Sequence, residues 1–144
     1  TILNFQPEGR GTDINLPLEY LLKIHKRKCV AFLISDFQAK DYEANLKLAE
    51  QKHDLVAISI TDPRELNLPP VGYIHLQDAE SGETLLVDTG DREMMKRLTA
   101  HERKRRENLK KSFYSVGVDT IEIETDRSLV EPIMRYFKLR EKRH

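Results

Sequence analysis

Apolar side chains recur at helical spacing in Ile14, Leu18, Leu21 and Leu22, and the pattern predicts a first helix over 13–25. Pro17 falls in or just past its first turn, where a missing N–H costs little. Lys26, Arg27 and Lys28 then complement the C-terminal dipole. Cys29-Val30-Ala31-Phe32-Leu33-Ile34-Ser35 is a nearly continuous apolar run. Such a run reads as a strand covered on both faces of a parallel sheet. A second helix is expected over about 40–52, with Tyr42, Leu46 and Ala49 inward. A second buried strand follows over 54–60 and ends at Thr61-Asp62-Pro63.

Leu68-Pro69-Pro70 interrupts this alternation. Residues 73–77 and 84–88 flank Glu80-Ser81-Gly82-Glu83 and predict a β-hairpin. A long helix is expected over about 91–115, a short strand over 120–124, and a last helix from near Asp126 or Ser128 with Leu129, Ile133 and Phe137 inward. Helices alternating with buried strands argue for an α/β layer fold with right-handed parallel crossovers.

A chain of 144 residues is long enough for one domain with a real core. Lys+Arg and Asp+Glu are 24 each, so no net charge draws the chain to nucleic acid or an anionic membrane. No apolar run approaches the roughly 20 residues of a membrane span. A single cysteine, Cys29, forms no internal disulfide and points to a reducing, cytoplasmic setting. The start at Thr1 reads as the beginning of an excised piece.

Ligands of an open parallel sheet bind beyond the carboxyl ends of its strands. There the first two strands deliver Asp36 and Asp62, and Thr12 arrives at the start of the first helix. Mg²⁺ takes one or two carboxylates, keeps several waters and accepts such oxygens. Asp13 or a neighbour caps the helix for backbone reasons alone. Arg64 and Glu65 follow the second strand, either tying the loop together or meeting a partner's charge. The basic run over 101–111 is broken by Glu102 and Glu107 and reads as a solvated helix face. The five histidines show no metal-ligand spacing, and Cys29, at the start of a buried strand, reads as core.

Arg10-Gly11-Thr12-Asp13-Ile14, Phe32-Leu33-Ile34-Ser35-Asp36-Phe37, Asp62-Pro63-Arg64-Glu65-Leu66 with Leu68-Pro69, and Val87-Asp88-Thr89 together resemble the C-terminal half of the domain-of-unknown-function 58 family. Gly117-Val118-Asp119 and Phe137-Lys138-Leu139-Arg140 extend the resemblance over nearly the whole chain. It implies a von Willebrand factor A-like, Rossmann-like, mostly parallel sheet flanked by helices, with a β-hairpin insertion. The whole chain, 1–144, is then a single N-terminally truncated domain whose first strands lie upstream.

The same resemblance makes Thr12 and Asp36 two ligands of a metal-ion-dependent adhesion site. The Asp-x-Ser-x-Ser loop of that site does not occur here, so the site is incomplete and Mg²⁺ binding by the chain is weak or absent. The implied role is a non-catalytic protein-interaction module working with a MoxR-type AAA+ ATPase. The alternative is a metal-dependent phosphoester hydrolase using Asp36 and Asp62, with Asp88 as a third carboxylate. A missing upstream strand leaves the 30–34 strand as an apolar edge, which predicts self-association through it.

Overall fold

The computed structural model of the chain describes residues 12–65, 67–77 and 82–142. Arg10, Gly11, Leu66, Glu80 and Ser81 lie outside them. Helix α1 (Asn15–Ile24) leads into β1 (Val30–Ser35), α2 (Glu43–Lys52) and β2 (Asp54–Thr61). A single 3₁₀ turn, Pro63–Glu65, precedes the hairpin β3 (Tyr73–Gln77) and β4 (Thr84–Asp88). The chain closes with α3 (Arg92–Ser115), β5 (Asp119–Glu124) and α4 (Val130–Glu141). The fold is α/β, and the hairpin strands match the expected bounds residue for residue.

β1, β2 and β5 form a parallel sheet in that order, with Phe32 beside Val56 and Ile58 beside Ile121. Right-handed crossovers that step in one direction put their helices on one face. α2 and α3 accordingly share one core cluster, which α1 joins and in which Leu18, Leu46, Ala49 and Phe113 bury against Leu55, Ala57 and Val118. On the opposite face Val56, Ile58, Ile121 and Ile123 bury under Ile133 and Tyr136 of α4. A polar clasp fixes α4 in place. Tyr136 Oη donates to Asp119 Oδ2 at 3.0 Å and accepts from Arg140 Nη1 at 2.6 Å, while Arg140 also pairs with Asp54.

That second face corrects the expectation for β1. One helix covers β2 and β5 but does not reach across β1, so Val30, Phe32 and Ile34 remain 53%, 45% and 60% exposed. Only Ala31, Leu33 and Ser35 turn toward the core. Leu129 and Phe137 are likewise more exposed than expected; the Phe137 ring stands against Phe32 at 6.2 Å and Tyr136 at 5.4 Å between ring centres. Cys29 is half-buried, its Sγ 3.3 Å from Nδ1 of the buried His53.

α3 is fixed at both ends. The Asp91 carboxylate accepts from the N–H groups of Glu93 and Met94. At the other end Gly117, at φ +82°, lets Val118 N reach Phe113 O and Gly117 N reach Tyr114 O. The hairpin is bolted at its base by buried Thr89, whose hydroxyl donates to Gly72 O at 2.6 Å and accepts from Val71 N at 2.9 Å. Among the described residues no helix is long and apolar enough to cross a membrane.

Replacing Phe113, 1% exposed at the junction of α3 with the sheet, by alanine costs about 4 kcal/mol. Tyr136→Phe removes only the hydroxyl between Asp119 and Arg140 and costs about 1 kcal/mol. Urea denaturation of the two variants measures both.

Candidate functional site at the carboxyl ends of the strands

The segments leaving β1 and β2 are held by their own aspartates. Asp36 Oδ1 accepts from Gln38 N at 3.1 Å, and Asp62 Oδ1 accepts from Arg64 N at 2.9 Å. Each carboxylate thereby orders its turn before it can do anything else. Between them, Phe37 is buried at φ +55°, a left-handed conformation costly for an aromatic residue. Its N–H bonds to Ser35 Oγ at 3.0 Å, and its ring stands edge-on to Phe113 at 4.8 Å. Packing and hydrogen bonding therefore hold the loop after β1 in a shape its sequence alone does not favour.

The start of α1 is tied to the same region. Asn15 Nδ2 donates to Asp41 O at 3.1 Å, and Asn45 Nδ2 donates to Asn15 Oδ1 at 2.9 Å. The N-cap position of α1 is Ile14, one residue later than expected, and Asp13 just ahead of it accepts from Asn15 N through Oδ1 at 2.9 Å. Thr12 is exposed at this end of the molecule, and no hydrogen bond joins it to Asp36. Among the described residues no group of three or more His, Cys, Asp or Glu side chains gathers to hold a metal ion. Of the two residues expected as metal ligands, both are exposed, and Asp36 already accepts from Gln38 N. Asp88 is occupied as well, accepting from Gly90 N at 2.9 Å.

The charges that do gather here come from α3. Glu102 takes two bonds from Arg105, at 2.9 and 2.6 Å, and one from Arg106 at 3.1 Å. Arg106 also reaches Glu65 at 3.5 Å. The Glu102, Arg105 and Arg106 side chains are only 18–23% exposed. The reading of 101–111 as a solvated face holds for His101, Arg103, Lys104, Glu107, Lys110 and Lys111, which are exposed, and is corrected at these three positions. Leu98, Glu102, Arg105, Leu109 and Phe113 fall at intervals of three or four residues, so Glu102 and Arg105 occupy the inward stripe of the helix. That spacing was visible in the sequence, but the density of charge around it masked the stripe.

Burial, with Glu102 as the next cause, raises the Glu65 pKa above the usual carboxylate value, and Asp36 adds to the effect; Arg106 and Arg105 oppose it. Burial also acts to raise Glu102, but the hydrogen bonds and charges of Arg105 and Arg106 together win and lower it. The Glu102 hydrogen bond raises Arg105 in turn. Of the two residues expected after β2, Glu65 therefore ties its loop to α3. Arg64 is exposed and leaves its guanidinium without a bond among the described residues. Tyr42, at the start of α2, is pushed up to about 12, chiefly by burial.

Between this network, the loop after β1 and the overhanging hairpin lies an open groove of about 900 Å³. Leu76 and Leu85 of the hairpin and Met95 and Leu98 of α3 give it apolar walls. Arg64, Glu65, Glu102 and Arg105 line its charged side.

Fold and site together define an α/β layer protein with a groove at the carboxyl rim of a parallel sheet. The chain belongs to the family of Protein of unknown function DUF58, whose profile matches residues 1–108. It is 30% identical over 138 residues to uncharacterized protein MAV169 of Mycobacterium avium, covering 93% of this chain and 79% of that protein. It is 29% identical over 133 residues to uncharacterized protein Rv1480 of Mycobacterium tuberculosis (strain ATCC 25618 / H37Rv), covering 90% of this chain and 41% of that protein. Uncharacterized protein Mb1516 of Mycobacterium bovis is similar to the same extent. The chain thus spans about two-fifths of the length of the two latter relatives. No solved structure matches it at a significant level.

Glu102→Gln removes the negative charge and one of the two acceptor oxygens that face Arg105 and Arg106 and costs about 2 kcal/mol at neutral pH. Because the folded-state pKa of Glu102 is lowered, its contribution is full above the unfolded-state value and disappears as pH falls through the lowered one. Chemical denaturation at neutral pH and again well below the carboxylate range should show the gap between variant and wild type close on acidification. Glu65 has the opposite sign: its raised pKa favours the folded state at low pH, and that contribution is lost as pH rises through the raised value. Glu65→Gln therefore costs less than Glu102→Gln at neutral pH in the same measurement.

Proposed function

We propose that the chain is a non-catalytic protein-interaction module of von Willebrand A type that engages its partner at the carboxyl rim of the sheet. The observation that carries this reading is the groove between the hairpin, α3 and the loops after β1 and β2. A site for a small molecule encloses most of its ligand. An open trough with apolar walls and a fixed row of charges suits a protein segment. Arg64, exposed on its rim, is free to meet a partner's carboxylate. The family resemblance supplies the kind of partner, a MoxR-type AAA+ ATPase. Thr12 and Asp36 remain the corner of an incomplete metal-ion-dependent adhesion site, and the contact proposed here does not depend on Mg²⁺.

The test is binding of the purified MoxR-type ATPase from the same genome to the immobilised protein. Arg64→Glu and Leu85→Asp both alter exposed rim positions and should weaken binding by about tenfold or more. Glu131→Lys, on the far face of α4, should not. Equal binding by all four proteins, or no binding by the wild type, overturns the reading. Turnover of a phosphate ester with Mn²⁺ that is lost in Asp36→Ala replaces the module with the hydrolase. Calorimetric titration with MgCl₂ should give a dissociation constant no tighter than about 1 mM, as two oxygen ligands without a cage allow.

A further inference from the structure

On the face of β2 that meets the three-helix layer, Leu55 and Ala57 pack into the core, and Ser59 and Thr61 follow toward the rim. Beside them β5 sets Thr120 next to Ala57, Glu122 next to Ser59 and Glu124 next to Thr61. The surface therefore changes from apolar to short and polar along its length. α3 passes above it with Arg106, Leu109, Lys110 and Phe113. Ser59 carries too little side chain to fill the space beneath the helix, and a cavity of about 220 Å³ opens between α3 and the two strands. It lies on the β5 side of the sheet, away from β1, and shares only Leu109 with the hairpin groove.

The lining holds hydrogen-bonding groups that the fold does not use. Among the described residues no hydrogen bond engages the hydroxyl of Ser59, Thr61 or Thr120. Arg106 Nη2 is buried and makes no hydrogen bond; Glu65 Oε2, at 3.5 Å, is its ion-pair partner only. Buried donors are normally satisfied, so this one calls for an acceptor from outside the chain. The charges around the cavity, by contrast, are already matched. Lys110 holds Glu122 at 3.0 Å, Arg127 holds Glu124 at 2.8 Å, and Arg106 is paired with Glu102. A charged ligand would give up its hydration and meet no unmatched opposite charge. A hydroxylated one can accept from Arg106 and exchange hydrogen bonds with the three protein hydroxyls and the two carboxylates. Leu109 and Phe113 supply an apolar side for the C–H face of a ring. A cavity of about 150 Å³ already admits a six-membered ring. We propose that this cavity binds an uncharged polyhydroxylated ring, a monosaccharide or cyclic polyol, independently of the protein partner in the groove.

Amide-resolved NMR titration of the full chain with D-glucose and with myo-inositol tests the proposal. At least one of the two rings should give saturable shifts confined to 59–61, 106–113 and 120–124. The dissociation constant should lie in the millimolar range, as so few heavy atoms allow. The phosphate monoester of the same ring, glucose 6-phosphate or inositol 1-phosphate, should bind about tenfold more weakly or worse, since its charge finds no counter-charge. Thr61→Val combined with Thr120→Val removes two hydroxyls and leaves side chains that suit a strand. This variant should resist urea at least as well as the wild type and bind the ring about tenfold more weakly. Leu85→Asp, in the hairpin groove, should bind it as the wild type does. No saturable shift with either ring, shifts centred elsewhere, a phosphate monoester that binds as tightly as its parent, or full binding by the double variant overturns the proposal.

Discussion

The structure depends on β2 being paired on both edges and packed on both faces. Leu55 and Ala57 face the three-helix layer, Val56 and Ile58 face α4, and all four are buried. β1 and β5 take their register from this strand. Its final residues also hand the chain to Asp62 and the 3₁₀ turn, so the height of the rim is set by where β2 sits in the sheet.

Two sequential crossovers in one direction load α2 and α3 onto one face, where α1 joins them, and leave the other to α4 alone. Its clasp of Tyr136, Arg140, Asp54 and Asp119 lies at the amino ends of β2 and β5. The ion-paired network of Glu102, Arg105, Arg106 and Glu65 lies at the carboxyl rim. The two ends of the sheet thus carry different chemistry: a short polar anchor below, and a wide charged trough above. Taking four charged groups partly out of water is costly, and mutual hydrogen bonding offsets that cost. The gain is a set of charges held in fixed positions beside apolar walls.

Most elements were legible because their signals are local. The hairpin follows from alternation around a polar turn, and Tyr42, Leu46 and Ala49 were placed inward by helical spacing alone. What failed to show was whatever depends on counting neighbours. The apolar run of β1 is compatible with burial on one face or two, and only the position of α4 decides. Leu129 and Phe137 stay half-exposed for the same reason: an apolar residue beyond the margin of a narrow sheet finds few partners. Glu102 and Arg105 are hidden for a different reason: their charge argues for solvent, while their phase along the helix sets them inward. The rim aspartates were found by topology, and their use in ordering their own turns is a detail of main-chain geometry that residue type alone does not reveal.

The two-ended fixing of α3, by Asp91 at one terminus and Gly117 at the other, makes the helix a spacer of set length. Each residue advances about 100° around the axis. Inserting or deleting one position between those anchors would swing Arg105 and Arg106 away from the strands while leaving both termini satisfied. Drift in loop length can therefore be absorbed elsewhere in the chain, whereas this segment tolerates change only in whole pairs of turns.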